Sequence, residues 1–97
     1  MTTYFISRHQ GALEWIKKQG ITVDLCLSHI EPEQIKKGDT ILGTLPINIV
    51  AMINQQGANY LHLSLQLPAD KRGQELTVQE MEQYQAKLEA YEVIKKS

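Results

Sequence analysis

Tyr4-Phe5-Ile6-Ser7-Arg8-His9-Gln10-Gly11 is the stretch on which the reading of the fold turns. It begins as a short apolar run of strand type and breaks into polar residues. It then meets a glycine where a helical pattern starts. In a sheet flanked by helices, such a junction sets the carboxyl end of a strand against a helix amino terminus. Free backbone N–H groups there favour anions, and a crevice opens where strand order reverses. A serine, a cation and an imidazole in consecutive positions suit phosphate chemistry. The plainer alternative is a polar turn with an exposed Arg8 and His9.

Working outward, Thr3–Ser7 reads as a first strand buried on both faces. Ala12, Leu13, Trp15 and Ile16 then form an apolar helical stripe, with Glu14, Lys17 and Lys18 outward. Gly20 is the expected stop, and Trp15 the anchor on the sheet. Val23–Ser28 is a second strand, with Val23, Leu25 and Leu27 on one face. Cys26 is expected as inert core on the other, because a sheet covered on both sides buries both. The strand ends in Ser28-His29, and Glu31-Pro32-Glu33 opens a short turn through Ile35.

Thr40–Gly43 is a third strand running into Gly43-Thr44-Leu45-Pro46, with Pro46 at the first helical position. That helix carries Ile47, Ile49, Val50 and Ile53 and stops at Gly57. Gly43 allows close approach of a ligand to the backbone and Thr44 offers a hydroxyl; alternatively, Gly43 makes the turn and Thr44 caps the helix. Asn59–Leu67 alternates most cleanly: Leu61, Leu63, Leu65 and Leu67 on one face, Tyr60, His62, Ser64 and Gln66 on the other. That period implies a face without ordinary core, facing solvent, a cleft or a second subunit. Pro68 to Gln74 is a long loop containing Arg72-Gly73, able to swing over an anion or simply exposed. Thr77-Val78-Gln79-Glu80 is a capping box. Val78, Met81, Tyr84, Leu88 and Tyr91, spaced by threes and fours, extend the final helix it starts.

Alternating strands and helices predict one α/β domain: a small Rossmann-like, three-layer arrangement over residues 1–97, with a mostly parallel sheet of about four strands and flanking helices. With the first strand central, Ser7-Arg8-His9, Ser28-His29, Gly43-Thr44 and the Arg72 loop share one edge.

Composition narrows the function. A chain of 97 residues, 42% hydrophobic and 22% charged, has ordinary globular proportions. A formal net charge of −1, with no basic run longer than a lysine pair, argues against gripping a long nucleic acid. No apolar run approaches the roughly 20 residues of a membrane span, and no secretory signal is visible. One cysteine excludes an internal disulfide framework and fits a reducing cytoplasm. No metal or cofactor is expected. The histidines are scattered, no Cys-x-x-Cys or His-x-Glu pair occurs, and neither phosphate-loop nor dinucleotide glycine fingerprint is present. Hydroxyls, an imidazole and arginines around backbone N–H groups match metal-free phosphodiester chemistry.

The residues Thr3 to Ala12, Trp15, Gly43-Thr44-Leu45-Pro46, Tyr60-Leu61-His62-Leu63-Ser64-Leu65, Pro68 through Arg72-Gly73 and Glu75-Leu76 span nearly the whole chain. Together they resemble the small CRISPR-associated accessory proteins numbered sixteen in the Csx series. That resemblance implies a ring nuclease beside type III CRISPR systems, which linearises cyclic oligoadenylates, chiefly the four-membered ring, and so switches off the antiviral signal. Residue roles here come from chemistry. A ribose 2′-hydroxyl attacks the neighbouring phosphodiester and leaves a 2′,3′-cyclic phosphate. Arg8 and backbone N–H groups near Gly11 are expected to hold the phosphate, Arg72 to close over it, and His9 to move the proton. Ser7 and Thr44 orient phosphate or 2′-hydroxyl, while Ser28 or His29 contacts ribose or adenine and Gly43 admits the ligand. A cyclic tetra-adenylate is too large for one domain's crevice, so a two-fold homodimer is expected. The rival readings are a non-catalytic sensor or sponge for the same ligand, and a plain interaction subunit.

Overall fold

The computed structural model describes residues 1–7, 10–71, 73–74 and 76–96. Strand β1, Thr3–Ile6, lies inside the sheet, one strand from its edge, because Tyr4, Phe5 and Ile6 are apolar on both faces and need covering from both sides. Helix α1, Gln10–Lys18, covers one face through Ala12, Trp15 and Ile16, with Trp15 only 4% exposed. Gly20 ends the turn beyond it at φ +80°, the left-handed conformation a helix stop uses. The chain returns through β2, Leu25–Leu27, beside β1. It then crosses below β1 through a 3-10 turn, Pro32–Gln34, into β3, Thr40–Gly43. Helix α2, Ile47–Gln55, and strand β4, Asn59–Ser64, follow.

The sheet order is β2-β1-β3-β4, with these four strands parallel, and a fifth strand completes it. After the short helix α3, Val78–Gln83, strand β5, Lys87–Tyr91, lies antiparallel against β4. The Thr77–Glu80 capping box forms as expected: Glu80 N–H donates to Thr77 Oγ1 at 3.1 Å and Thr77 N–H to Glu80 Oε1 at 3.2 Å. The helix it starts is much shorter than the apolar spacing suggests. Gln85, at φ +59°, reverses the chain, so Leu88 and Tyr91 belong to a strand. Leu88 pairs with Leu63 and faces the core; Tyr91 pairs with Tyr60 on the opposite face. The edge of β4 was open, and pairing it overrode a helical spacing carried by only a few residues.

Three layers result. Phe5, Leu42 and Leu63 pack with Ala12, Trp15 and Ile16 of α1 and Met81 of α3 on one face. Tyr4, Ile6, Ile41 and Tyr60 pack with Val50 and Ile53 of α2, and with Ile30 and Ile35 before β3, on the other. An ion pair, Lys18 to Glu82 at 2.7 Å, links α1 and α3; both side chains are largely exposed, so it adds little stability.

The structure revises five further expectations. The fourth strand stops at Ser64, not Leu67, and its polar face is not left uncovered: Tyr60 is only 2% exposed. A hydroxyl tip on a large ring reads as polar in sequence but packs as core. The second strand is confined to Leu25–Leu27, and Cys26 is exposed, not buried, because β2 is the sheet's outer strand. Pro46 is the cap of α2 rather than its first helical residue; its carbonyl accepts from Val50 N–H at 3.1 Å. Among the described residues no helix is long and apolar enough to cross a membrane.

Candidate functional site

The connection from β1 through α1 to β2 runs one way across the sheet, and those from β3 onward run the other. Strand order therefore reverses between β1 and β3, and their carboxyl ends, Ile6-Ser7 and Gly43-Thr44, stand side by side there. A cleft of about 250 Å³ opens at this edge. Ser7, Gly43, Thr44, Gly73 and Gln74 form its polar and small-residue rim, while Leu63, Leu65, Leu67, Leu76 and Met81 line it toward the α1–α3 face. Ser7 is anchored by its N–H to the Leu27 carbonyl of β2 at 2.9 Å. Gly43 is buried, and a Cβ there would stand 2.9 Å from the Ile6 carbonyl oxygen, so glycine permits the close approach of the two strand ends. Thr44 is exposed and does not cap α2, whose cap is Pro46 without a side-chain hydrogen bond.

The segment after β3 is gripped from β4. The buried Tyr60 hydroxyl lies 2.9 Å from Leu45 N, 3.0 Å from the Gly43 carbonyl oxygen and 2.8 Å from His62 Nδ1. Burial pushes the Tyr60 phenol up, against the lowering effect of the Leu45 N–H. Tyr60 was not singled out as a site residue from the sequence. The available signal was its position two residues before His62, which puts both rings on one face of a strand.

Other expected site residues fall elsewhere. Gly11 is buried where α1 meets the start of α3. A Cβ there would collide with the Leu76 carbonyl, so its backbone packs against Leu76 and Thr77. That contact, and not the cleft rim, explains the glycine. Ser28 and His29 follow β2 at the same carboxyl edge but do not line the cleft; His29 Nε2 faces Glu31 Oε1 at 3.0 Å on the exposed surface. Arg8, His9 and Arg72 lie outside the described residues. The larger groove, about 1100 Å³, is at the opposite edge, between the end of α2 and residues 90–95. Its Asn54 amide is already committed, accepting from Val93 N–H and donating to the Ala58 carbonyl, which ties α2 to the segment after β5. No group of three or more His, Cys, Asp or Glu residues is arranged to hold a metal ion among the described residues.

Helices on both faces of a mostly parallel sheet, with the cleft at the reversal of strand order, define a small doubly wound α/β domain. In that class the crevice beyond the strand carboxyl ends is the customary ligand position. Residues 4–94 match the family described as "Putative CRISPR-associated protein (Cas_VVA1548)". The chain belongs to that family of CRISPR-associated proteins. No curated protein and no solved structure matches it.

Proposed function

We propose that this chain is a metal-independent ring nuclease that opens cyclic oligoadenylate, chiefly cyclic tetra-adenylate, and thereby switches off type III CRISPR signalling. The observation that carries the reading is the convergence of Ser7, Gly43 and Thr44 on one cleft with the Gly73-Gln74 loop segment. Membership of a CRISPR-associated family supports the biological setting. Arg8 and His9 directly follow Ser7 in the chain and Arg72 directly precedes Gly73, which is the sequence ground for assigning them to the same cleft. The leucine-lined interior offers an apolar seat for a base, with phosphate held at the rim.

In the reaction, a ribose 2′-oxygen attacks the adjacent phosphorus while its proton passes to His9. The bond from phosphorus to the 5′-oxygen of the next nucleotide breaks, that oxygen takes a proton from water, and His9 returns its proton to solvent. The products are a linear chain with a 2′,3′-cyclic phosphate at one end and a 5′-hydroxyl at the other. Arg8 and Arg72 stabilise charge on the phosphorane, and Ser7 and Thr44 align the attack. Two copies related by a two-fold axis would match the symmetry of a four-nucleotide ring.

The test is incubation of the protein with cyclic tri-, tetra- and hexa-adenylate plus a chelator, with products separated by chromatography. Conversion of the tetra-adenylate to linear cyclic-phosphate products is expected. An intact ring at excess protein, together with a ligand-induced rise in melting temperature, would instead make the chain a sponge or sensor. Neither cleavage nor a thermal shift would sink both.

A further inference from the structure

The Tyr60 hydroxyl contacts three groups, and they do not have equal proton needs. The Leu45 N–H can only donate to it, and the Gly43 carbonyl can only accept. A phenol owns one proton and can accept two hydrogen bonds. If that proton went to His62 Nδ1, two lone-pair oxygens would face each other 3.0 Å apart at Gly43. All three contacts become hydrogen bonds in one arrangement alone: Tyr60 donates to Gly43 and accepts from Leu45 N–H and from a protonated His62 Nδ1. At a residue 2% exposed, an unmade bond is costly, which selects this arrangement. The burial that raises the phenol also keeps its one proton in place.

We infer that His62 is a positioning residue for the cleft: its Nδ1–H orients the Tyr60 hydroxyl, which holds the peptide groups on both sides of Thr44. His62 is half-buried, with its ring edge-on to Tyr91 at a centroid distance of 5.9 Å. Its cross-strand partner on β5 is Glu89, whose Oε2 lies 3.9 Å from Lys87 Nζ. Among the described residues, these are the titratable groups that the strand register and ring contacts bring beside it, together with Tyr60. The hydrogen-bond arrangement stands by itself; its consequence for phosphate handling by Thr44 rests on the ring-nuclease reading.

Nitrogen-15 NMR of the wild-type protein, at a pH alkaline enough for an ordinary imidazole to be neutral, reads the tautomer directly. Hydrogen on Nδ1 is expected, and hydrogen on Nε2 alone would overturn the inference. Amide exchange at Leu45 gives a second readout. It is expected to quicken about tenfold in Tyr60→Phe, the equivalent of one lost hydrogen bond. It should quicken in His62→Leu also, and return toward wild type in His62→Asn, whose side-chain N–H sits where Nδ1–H does. Unchanged Leu45 exchange in a folded His62→Leu variant would equally overturn it. In the cleavage assay, His62→Leu should lose turnover that His62→Asn restores. Wild-type protein that carries the Nδ1 proton yet never opens a ring would support this inference and defeat the proposed activity, so the two fail separately.

Discussion

The two ends of β3, the middle strand of five, handle polar groups in opposite ways. Just before it, Asp39 is 3% exposed. Its carboxylate accepts from Thr2 N–H and from Lys36 N–H, each at 2.9 Å, and its carbonyl accepts from Asn59 N–H at 2.8 Å. One residue thus ties the beginnings of β1, β3 and β4 together. The Thr2 and Lys36 N–H bonds, with Coulombic help from the N-terminal amine and Lys36, hold its carboxyl below the usual range despite burial. Just after β3, the backbone of Gly43 and Leu45 is gripped by Tyr60 while the Thr44 side chain remains exposed. A charge satisfied by its own protein is a fastener. A rigidly backed hydroxyl presented to water is a group available to a ligand.

The contrast can be broken at either end. The largest expected effect is on chemistry. His9→Ala should slow ring opening by roughly 10²–10⁴-fold while leaving ligand affinity and melting temperature near wild type; normal turnover would move proton transfer elsewhere. Arg8→Ala should impair affinity and turnover together if, as proposed, Arg8 holds the phosphate before reaction. At the amino edge, Asp39→Ala should destabilise by about 2–4 kcal/mol in a denaturant titration, because two backbone donors lose a charged acceptor. Turnover of the folded fraction should be spared.

The same carboxylate sets an acid limit. Its folded pKa is lowered, so its stabilisation is present above the unfolded carboxylate value and lost as pH falls through the folded one. Stability measured from neutral pH downward should fall in that acid window, and Asp39→Asn should flatten the fall. Smallest of all, Thr44→Val should change stability by less than about 0.5 kcal/mol, as for an exposed side chain without a capping role. It should still weaken cyclic tetra-adenylate binding, measured by calorimetry.

How much of this was readable beforehand differs along the chain. Thr40–Gly43, the Trp15 anchor, the Gly20 stop and the Thr77–Glu80 cap were legible because each depends on local chemistry that tertiary context reinforces. β5 was not: Lys87-Leu88-Glu89-Ala90-Tyr91 is weak in strand-forming residues. The reversal before it uses Gln85 at positive φ, with no glycine to announce it. Cys26 was misplaced because burial depends on strand order, which a single sequence does not reveal. Ser7, Gly43 and Thr44, each adjacent to a strand end, line one cleft, a placement their positions in the sequence already suggested. The same logic did not separate Gly11, whose role is a close helix contact, or find Tyr60, whose partners are 15 and 17 residues away.

Because β5 runs antiparallel to β4, residues 92–95 return to the edge where β1 begins. Thr2 bonds to Asp39 there, and residues 92–95 border the same groove as Thr40 and Asn59. A tether or tag attached beside Thr2 or residue 95 would therefore sit at the edge opposite the cleft, leaving its mouth unobstructed. Immobilising the protein by one end and then by the other should give the same ligand-capture curve.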